Sequence, residues 1–278
     1  MNRNTLLFIP MYNCENQISR VIEKIKGLGI DQNLFSQILI LDNRSTDSSI
    51  DIAKKSLGNL SIPAVIGKNQ QNNSIGGSHK IAFIYAIKHR FKSVVVLHGD
   101  DQGDIRDIIP YLKDDRVFAY DSYLGSRFLK ESRLINYSKF RIIGNVFFNR
   151  LISGIIHQPV KDLGSGLNYF SVNYLKNSKR FYMRFPNTMN FEFYMLMYGI
   201  YSKSKFAFFP LSWREDDQVS NAKMVSQAID ILHLTFQYKK SNGAILKKTT
   251  EEIKNANYKT DIVFENKAYK EKMDCGRE

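Results

Sequence analysis

The stretch Ser93-Val94-Val95-Val96-Leu97-His98-Gly99-Asp100-Asp101-Gln102 passes from an unbroken apolar run to a cluster of polar side chains within one residue. A short run this rich in valine predicts a strand buried on both faces. Its carboxyl end delivers His98, Asp100, Asp101 and Gln102, with Gly99 as the only turn residue between them. Ligands of open parallel sheets bind beyond the carboxyl ends of the strands. The stretch therefore predicts both a sheet and the edge at which its chemistry sits.

Working outward, three more apolar runs precede it, at residues 5–10, 37–41 and 63–66. Helical spacing separates them: Ile18, Val21, Ile22, Ile25 and Leu28, then Ile50, Ala53 and Leu57, then Ile81, Ile84 and Tyr85 after Gly76-Gly77. Downstream, Asp104 is placed to cap a helix carrying Ile105, Ile108, Ile109 and Leu112. Alternating strands and helices predict an α/β fold with a mostly parallel sheet covered on both faces.

The second part is less regular. Strands are expected at 118–124, 167–172 and 205–211, and helices at 138–156 and 189–199. The long helix at 138–156 carries two stripes, Ile143, Phe147, Leu151 and Ile155 on one and Arg141, Asn145, Asn149 and Ser153 on the other. Val225, Ile229, Leu232 and Phe236 mark a last helix expected to face the core. Beyond 241 the chain turns polar and lysine-rich, which predicts a helix and then a mobile tail. One domain over 1–240 is expected, followed by a tail over 241–278.

The 278 residues are 43% hydrophobic and 24% charged, which suits a packed globular core and excludes global disorder. Forty Lys plus Arg against 27 Asp plus Glu give a formal charge of +13, which favours an anionic partner. Cys14 and Cys275 form no CxxC or Cys/His cluster, so a disulfide framework and a structural zinc are disfavoured and a reducing compartment is expected. The first apolar run is too short for a signal peptide, and no apolar stretch approaches the ~18 residues that span a bilayer. A cytoplasmic protein is expected, soluble or peripheral to a membrane.

Four polar loops fall at the same predicted edge: Pro10-Met11-Tyr12-Asn13-Cys14-Glu15, Asp42-Asn43-Arg44-Ser45-Thr46-Asp47, Asn72-Asn73-Ser74-Ile75-Gly76-Gly77 and His98-Gly99-Asp100-Asp101-Gln102. Mg²⁺ takes oxygen ligands and completes its shell with substrate phosphates, a task for which Asp100 is well placed. Asp100 and Asp101 would otherwise cap the next helix, but Asp104 is better positioned for that.

The first, second and fourth of these loops resemble the three signature loops of glycosyltransferase family 2. The third, with Gly76-Gly77 and Lys80, is similar to the glycine-rich segment that follows in those enzymes. Gly125-Ser126-Arg127 and Asp162-Leu163-Gly164-Ser165-Gly166 resemble later loops of the dolichyl- and polyprenyl-phosphate sugar synthases within the family. The likeness runs from about residue 5 to residue 225.

That resemblance implies a GT-A fold, with residues 1–115 binding a nucleotide-diphosphate sugar and 116–240 serving a polyprenyl-phosphate or saccharide acceptor. It implies Mg²⁺ or Mn²⁺ at Asp100 and Gln102, and Pro10, Tyr12, Glu15 and Asp42 around the base and ribose. Gly76, Lys80 and His98 fall in the donor loops, and Lys223 precedes the final helix as a pyrophosphate contact. His98 stands where the family carries a first acid, and Asn43-Arg44 where it carries Asp-Gly, so metal binding without donor is expected to be weak.

Charge developing on the leaving phosphate calls for cations, and guanidinium forks suit phosphate oxygens. Arg127 and Arg141 are the candidates. Asp162 and Glu192 are the candidate acceptor-side acids. The positive charge and the 138–156 helix predict peripheral contact with anionic lipid.

Two rival functions are weighed. A sugar-phosphate nucleotidyltransferase would carry a glycine-rich loop with Arg and Lys after the first strand, and Met11-Tyr12-Asn13-Cys14-Glu15 has none. A nucleic-acid-binding protein would suit the charge, but the chain carries no helix-turn-helix, zinc-finger or aromatic RNP pattern, so no nucleic-acid partner is expected.

Overall fold

β1 (Thr5–Met11) is buried at every position, and the sheet grows from it in both directions. α1 (Ile18–Lys26) leads to β2 (Gln37–Asp42), α2 (Ser49–Leu57) to β3 (Ala64–Asn69), and α3 (Ser74–Lys88) to β4 (Ser93–Leu97). β2 and β4 flank β1 on opposite sides, both parallel to it, and β3 lies parallel outside β2. Strand residues alternate between faces. Leu7, Ile9, Ile38 and Ile40 therefore pack under α1 and α2, while Leu6, Phe8, Leu39 and Leu41 pack under α3. The computed structural model describes residues 4–216, 224–249 and 251–275.

After α4 (Ile109–Lys113) come β5 (Ser122–Ser126), β6 (Leu134–Ile135), α5 (Lys139–Ile156), β7 (Leu167–Ser171) and α6 (Val172–Tyr182). Then follow α7 (Phe191–Tyr201), β8 (Phe206–Pro210), β9 (Trp213–Arg214), α8 (Met224–Lys240), α9 (Glu251–Lys254), β10 (Thr260–Glu265) and α10 (Lys267–Cys275). The eight-stranded sheet has the order β10-β3-β2-β1-β4-β7-β5-β8, with β6 and β9 paired separately. β7 runs antiparallel to both β4 and β5. The expected α/β architecture with a mostly parallel sheet is the one observed.

Two sequence expectations are corrected. The region after 241 is not a free tail, because β10 pairs antiparallel with β3 at the sheet edge. Asn266 secures it: its Oδ1 accepts from the Ala64 N–H, and its Nδ2 donates to the Leu60 and Ile62 carbonyls. In α8 the buried side chains are Ile231, Leu234 and Thr235, whereas Ile229 and Phe236 are exposed. Of the expected stripe, only Leu232 packs against the core among the described side chains, and Val225 lies outside them.

In α5 the polar stripe faces the protein. Asn149 Nδ2 donates to the Lys161 carbonyl, and Ser153 Oγ accepts from the Val160 N–H. Phe140, Ile143, Phe147 and Leu151 point outward, with Phe140 85% exposed. The backbone of residues 160–161 needs hydrogen-bond partners, and Asn149 and Ser153 supply them where an apolar stripe would not.

Candidate active site

The loops after β1 and β4 meet directly, the Gly99 N–H donating to the Pro10 carbonyl at 3.0 Å. β1 is the strand from which the sheet runs both ways, so this meeting point is the topological switch where α/β sheets bind ligands. The β2 loop closes one side. Asp42 is fully buried, and its carboxylate accepts from the backbone N–H groups of Arg44 and Ser45. Glu15 accepts from the Ser48 N–H, and Tyr12 stands half-exposed between these loops.

Adjacent aspartates receive opposite treatment. Asp101 is buried with three cations around it: Arg20 at 2.8 Å, Lys24 at 2.6 Å and Arg214 at 3.1 Å. Asp100 pairs with no Lys or Arg among the described residues, and burial pushes its carboxyl above the usual range. Its Oδ1 accepts the Gln102 N–H. Both side chains line a cavity of about 390 Å³. A desolvated carboxylate that lacks a cation, beside an amide oxygen, is a donor set fitted to Mg²⁺ or Mn²⁺ with phosphates filling the rest of the shell.

The same cavity brings His98, Arg127, Arg141 and Glu192 together. Arg127 is clamped by Asp162, Nε to Oδ2 at 2.8 Å and one terminal nitrogen to Oδ1 at 2.7 Å. Asp162 is itself almost fully buried beneath the guanidinium. Arg141 pairs with Glu215 and lies over the Tyr137 ring, and its Nε is buried without a hydrogen-bond partner. Glu192 Oε1 lies 3.6 Å from His79 Nε2 and 3.7 Å from His98 Nε2. Burial alone would raise the Glu192 carboxyl, but the neighbouring His79 and His98 rings hold it well below the usual range.

Two expected donor residues lie elsewhere. Lys80 is fully buried, its Nζ donating to the Phe185 carbonyl at 2.5 Å, Asn187 Oδ1 at 2.7 Å and Tyr258 Oη at 3.1 Å. It ties α3 to the 185–187 turn and the C-terminal segment. Gly76 serves close packing, since a Cβ there would stand 2.8 Å from both the Asn187 carbonyl oxygen and Phe191 Cβ. Lys223 lies outside the described residues.

The position of Lys80 carries a stability prediction. Lys80→Met leaves its acceptors unpaired in a dry site and is expected to lower the unfolding free energy by about 2–4 kcal/mol. Urea denaturation reads this, and an unchanged midpoint would argue against a structural lysine.

Sequence reasoning missed His79, which sits inside α3, and Glu215, the partner of Arg141. It also missed the apolar wall of the cavity, formed by Phe140, Phe148, Met189 and Ile231.

The family model described as Glycosyl transferase family 2 matches residues 7–177. Glycosyltransferase AglJ of Haloferax volcanii is 26% identical over 165 residues, covering 59% of this chain and 49% of that protein. The chain thus spans about half the length of the curated relative it matches. Among solved structures, glucosyl-3-phosphoglycerate synthase from Mycobacterium tuberculosis with Mn²⁺ and UDP-glucose superposes with a TM-score of 0.59 at 16% identity, covering 85% of this chain and 79% of that one. S. aureus TarS residues 1–349 with UDP-GlcNAc gives 0.57 at 16% identity, covering 89% and 68%. At such identities the likeness shows the fold alone.

Proposed function

The chain belongs to glycosyl transferase family 2, and from that premise we propose that it moves one sugar from a nucleoside-diphosphate donor to a polyprenyl phosphate at a membrane surface. One observation carries the acceptor half of this reading. The cavity holding Asp100, Arg127 and Arg141 is walled by Phe140, Phe148 and Met189, and Phe140 continues into the exposed apolar stripe of α5. A charged end that opens onto a greasy face fits an acceptor with a phosphate head and a lipid tail.

The donor binds across the switch point, with Pro10, Tyr12, Glu15 and Asp42 around base and ribose. Asp100 and Gln102 would hold a Mg²⁺ or Mn²⁺ ion, which would offset the charge that develops on the leaving diphosphate. Arg141, with an orphaned Nε donor, and Arg127, oriented by Asp162, supply cations for phosphate oxygens. Asp162 is assigned to positioning Arg127 rather than to taking a proton. Transfer proceeds with inversion at the anomeric carbon, an expectation resting on the family.

Membrane contact is proposed through α5. Among the described residues no helix is long and apolar enough to cross a membrane. Lys139 and Arg150 on α5 and Lys239 and Lys240 on the adjoining α8 are exposed and favour anionic headgroups. Co-sedimentation with vesicles is expected to rise with acidic lipid and fall with salt. Burying a Phe side chain is worth about 1.5–3 kcal/mol, so the double variant Phe140→Asp, Phe147→Asp is expected to weaken vesicle binding roughly 10²-fold or more. Absence of co-sedimentation of the native chain with anionic vesicles would remove the membrane from the proposal.

A further inference from the structure

His79 poses a proton problem that the proposed transfer does not address. Its Nδ1 lies 2.9 Å from the Ile75 carbonyl oxygen, which can only accept, so Nδ1 carries a hydrogen. In the neutral ring Nε2 then presents a lone pair, and what it faces is Glu192 Oε1 at 3.6 Å. His98 Nε2 stands 3.7 Å from the same oxygen. Both Nε2 atoms are buried without a hydrogen-bond partner. His79 Nε2 thus turns a lone pair toward a carboxylate in a site closed to water, an arrangement that a cation between them would relieve.

His79 is 1% exposed, and its ring packs against those of Phe8, Phe83 and Phe191, which hold it in one orientation. The groups around it match the outer shell of a metal centre. Histidine ligands commonly donate their other ring N–H to a backbone carbonyl, as His79 does, and ligating carboxylates are themselves hydrogen-bonded. Asn168 Nδ2 donates to Glu192 Oε1 at 2.9 Å. Gly166, at φ +68°, lies so close to the His98 ring that a Cβ there would be 2.7 Å from Nδ1, which fixes the ring in place.

We infer that His79, His98 and Glu192 form a second cation site, distinct in its ligands from Asp100 and Gln102, that takes a borderline divalent transition ion such as Zn²⁺. The three ligand atoms lie within 4.8 Å of one another. Bonds of about 2.0–2.2 Å hold ligands roughly 3.2–3.5 Å apart in a tetrahedral shell, so the two shorter sides need only a few tenths of an ångström of closure. Two imidazoles and one carboxylate suit Zn²⁺ better than Mg²⁺. Three protein ligands leave a coordination position open. His98 and Glu192 line the cavity, so that position faces it.

The inference stands apart from the transfer reading, because its test uses no donor and no acceptor. The purified full chain is stripped with chelator, exposed to Zn²⁺, desalted and analysed for metal. The native chain and Asp100→Asn are expected to retain one equivalent, whereas His79→Ala and Glu192→Gln bind more than 100-fold more weakly. Should His79→Ala fail to fold, the native chain still decides, through Co²⁺ d–d absorption and the ¹⁵N shift of His79 Nε2 on adding Zn²⁺. No retained ion, retention unaffected by the substitutions, or a His79 Nε2 shift that Zn²⁺ leaves unchanged would each overturn the site.

Discussion

Asp100→Ala is expected to lower kcat at least 10³-fold while leaving the fold intact. The leaving diphosphate gains negative charge as the sugar departs, and a metal ion stabilises that charge by several kcal/mol. About 4 kcal/mol corresponds to three decades in rate. Asp100 pairs with no Lys or Arg among the described residues and is lifted in pKa by burial, so its removal takes away the metal's anionic ligand and no internal ion pair. Asp101→Asn is the contrasting variant, since it breaks the contacts to Arg20, Lys24 and Arg214 and is expected to act on stability. Turnover with Mn²⁺, metal-dependent binding of nucleoside diphosphates by calorimetry, and circular dichroism together separate the two. Near-normal turnover in Asp100→Ala would remove it from the metal site.

The parts of this chain that were legible in its sequence share a physical cause. β1, β2 and β4 are buried on both faces, so their apolar runs are unbroken, and the polar residues that follow have nowhere to lie but the sheet edge. His98, Asp100, Gln102, Arg127, Arg141 and Glu192 were all named from that logic or from family likeness, and they line one cavity. Position along an element was readable, but direction was less so. The stripes of α5 have the period of an amphipathic helix, and the period does not say which stripe faces inward. Asn149 and Ser153 face inward because neighbouring backbone groups need them.

Lys80 and Gly76 sit in the glycine-rich segment where a donor contact is expected, yet only the packing of the 185–191 region against α3 shows that they turn away. His79 beside them had no sequence signal, because its meaning comes from Glu192 on α7. β10 was missed since an edge strand keeps a polar face. Thr260-Asp261-Ile262-Val263 reads as tail until β3 is there to pair with it.

Arg127→Ala is expected to be far more damaging than either Glu192→Gln or Asp162→Asn if the acceptor is a polyprenyl phosphate. A hydroxyl acceptor must lose a proton as the sugar arrives, and general-base help is worth about 10²–10⁴-fold. A phosphate oxygen is already a nucleophile and needs a cation to place it. The geometry bears on this choice through Glu192, whose carboxyl is held well below the usual range by His79 and His98 against the effect of burial. So strongly ionised a carboxylate accepts a proton poorly near neutral pH. Asp162 is likewise occupied, both oxygens engaged by Arg127. Asp162→Asn is expected to loosen the guanidinium and cost about ten-fold through acceptor KM, whereas Arg127→Ala costs on the order of 10²–10³-fold, as losing a charge-stabilising donor does. Steady-state rates with polyprenyl phosphate and with a saccharide acceptor, alongside donor binding by calorimetry, check the ranking. If Glu192→Gln alone removes several orders of magnitude of turnover with donor binding intact, and does so only with a saccharide acceptor, then the acceptor is a hydroxyl and the lipid-phosphate reading is wrong.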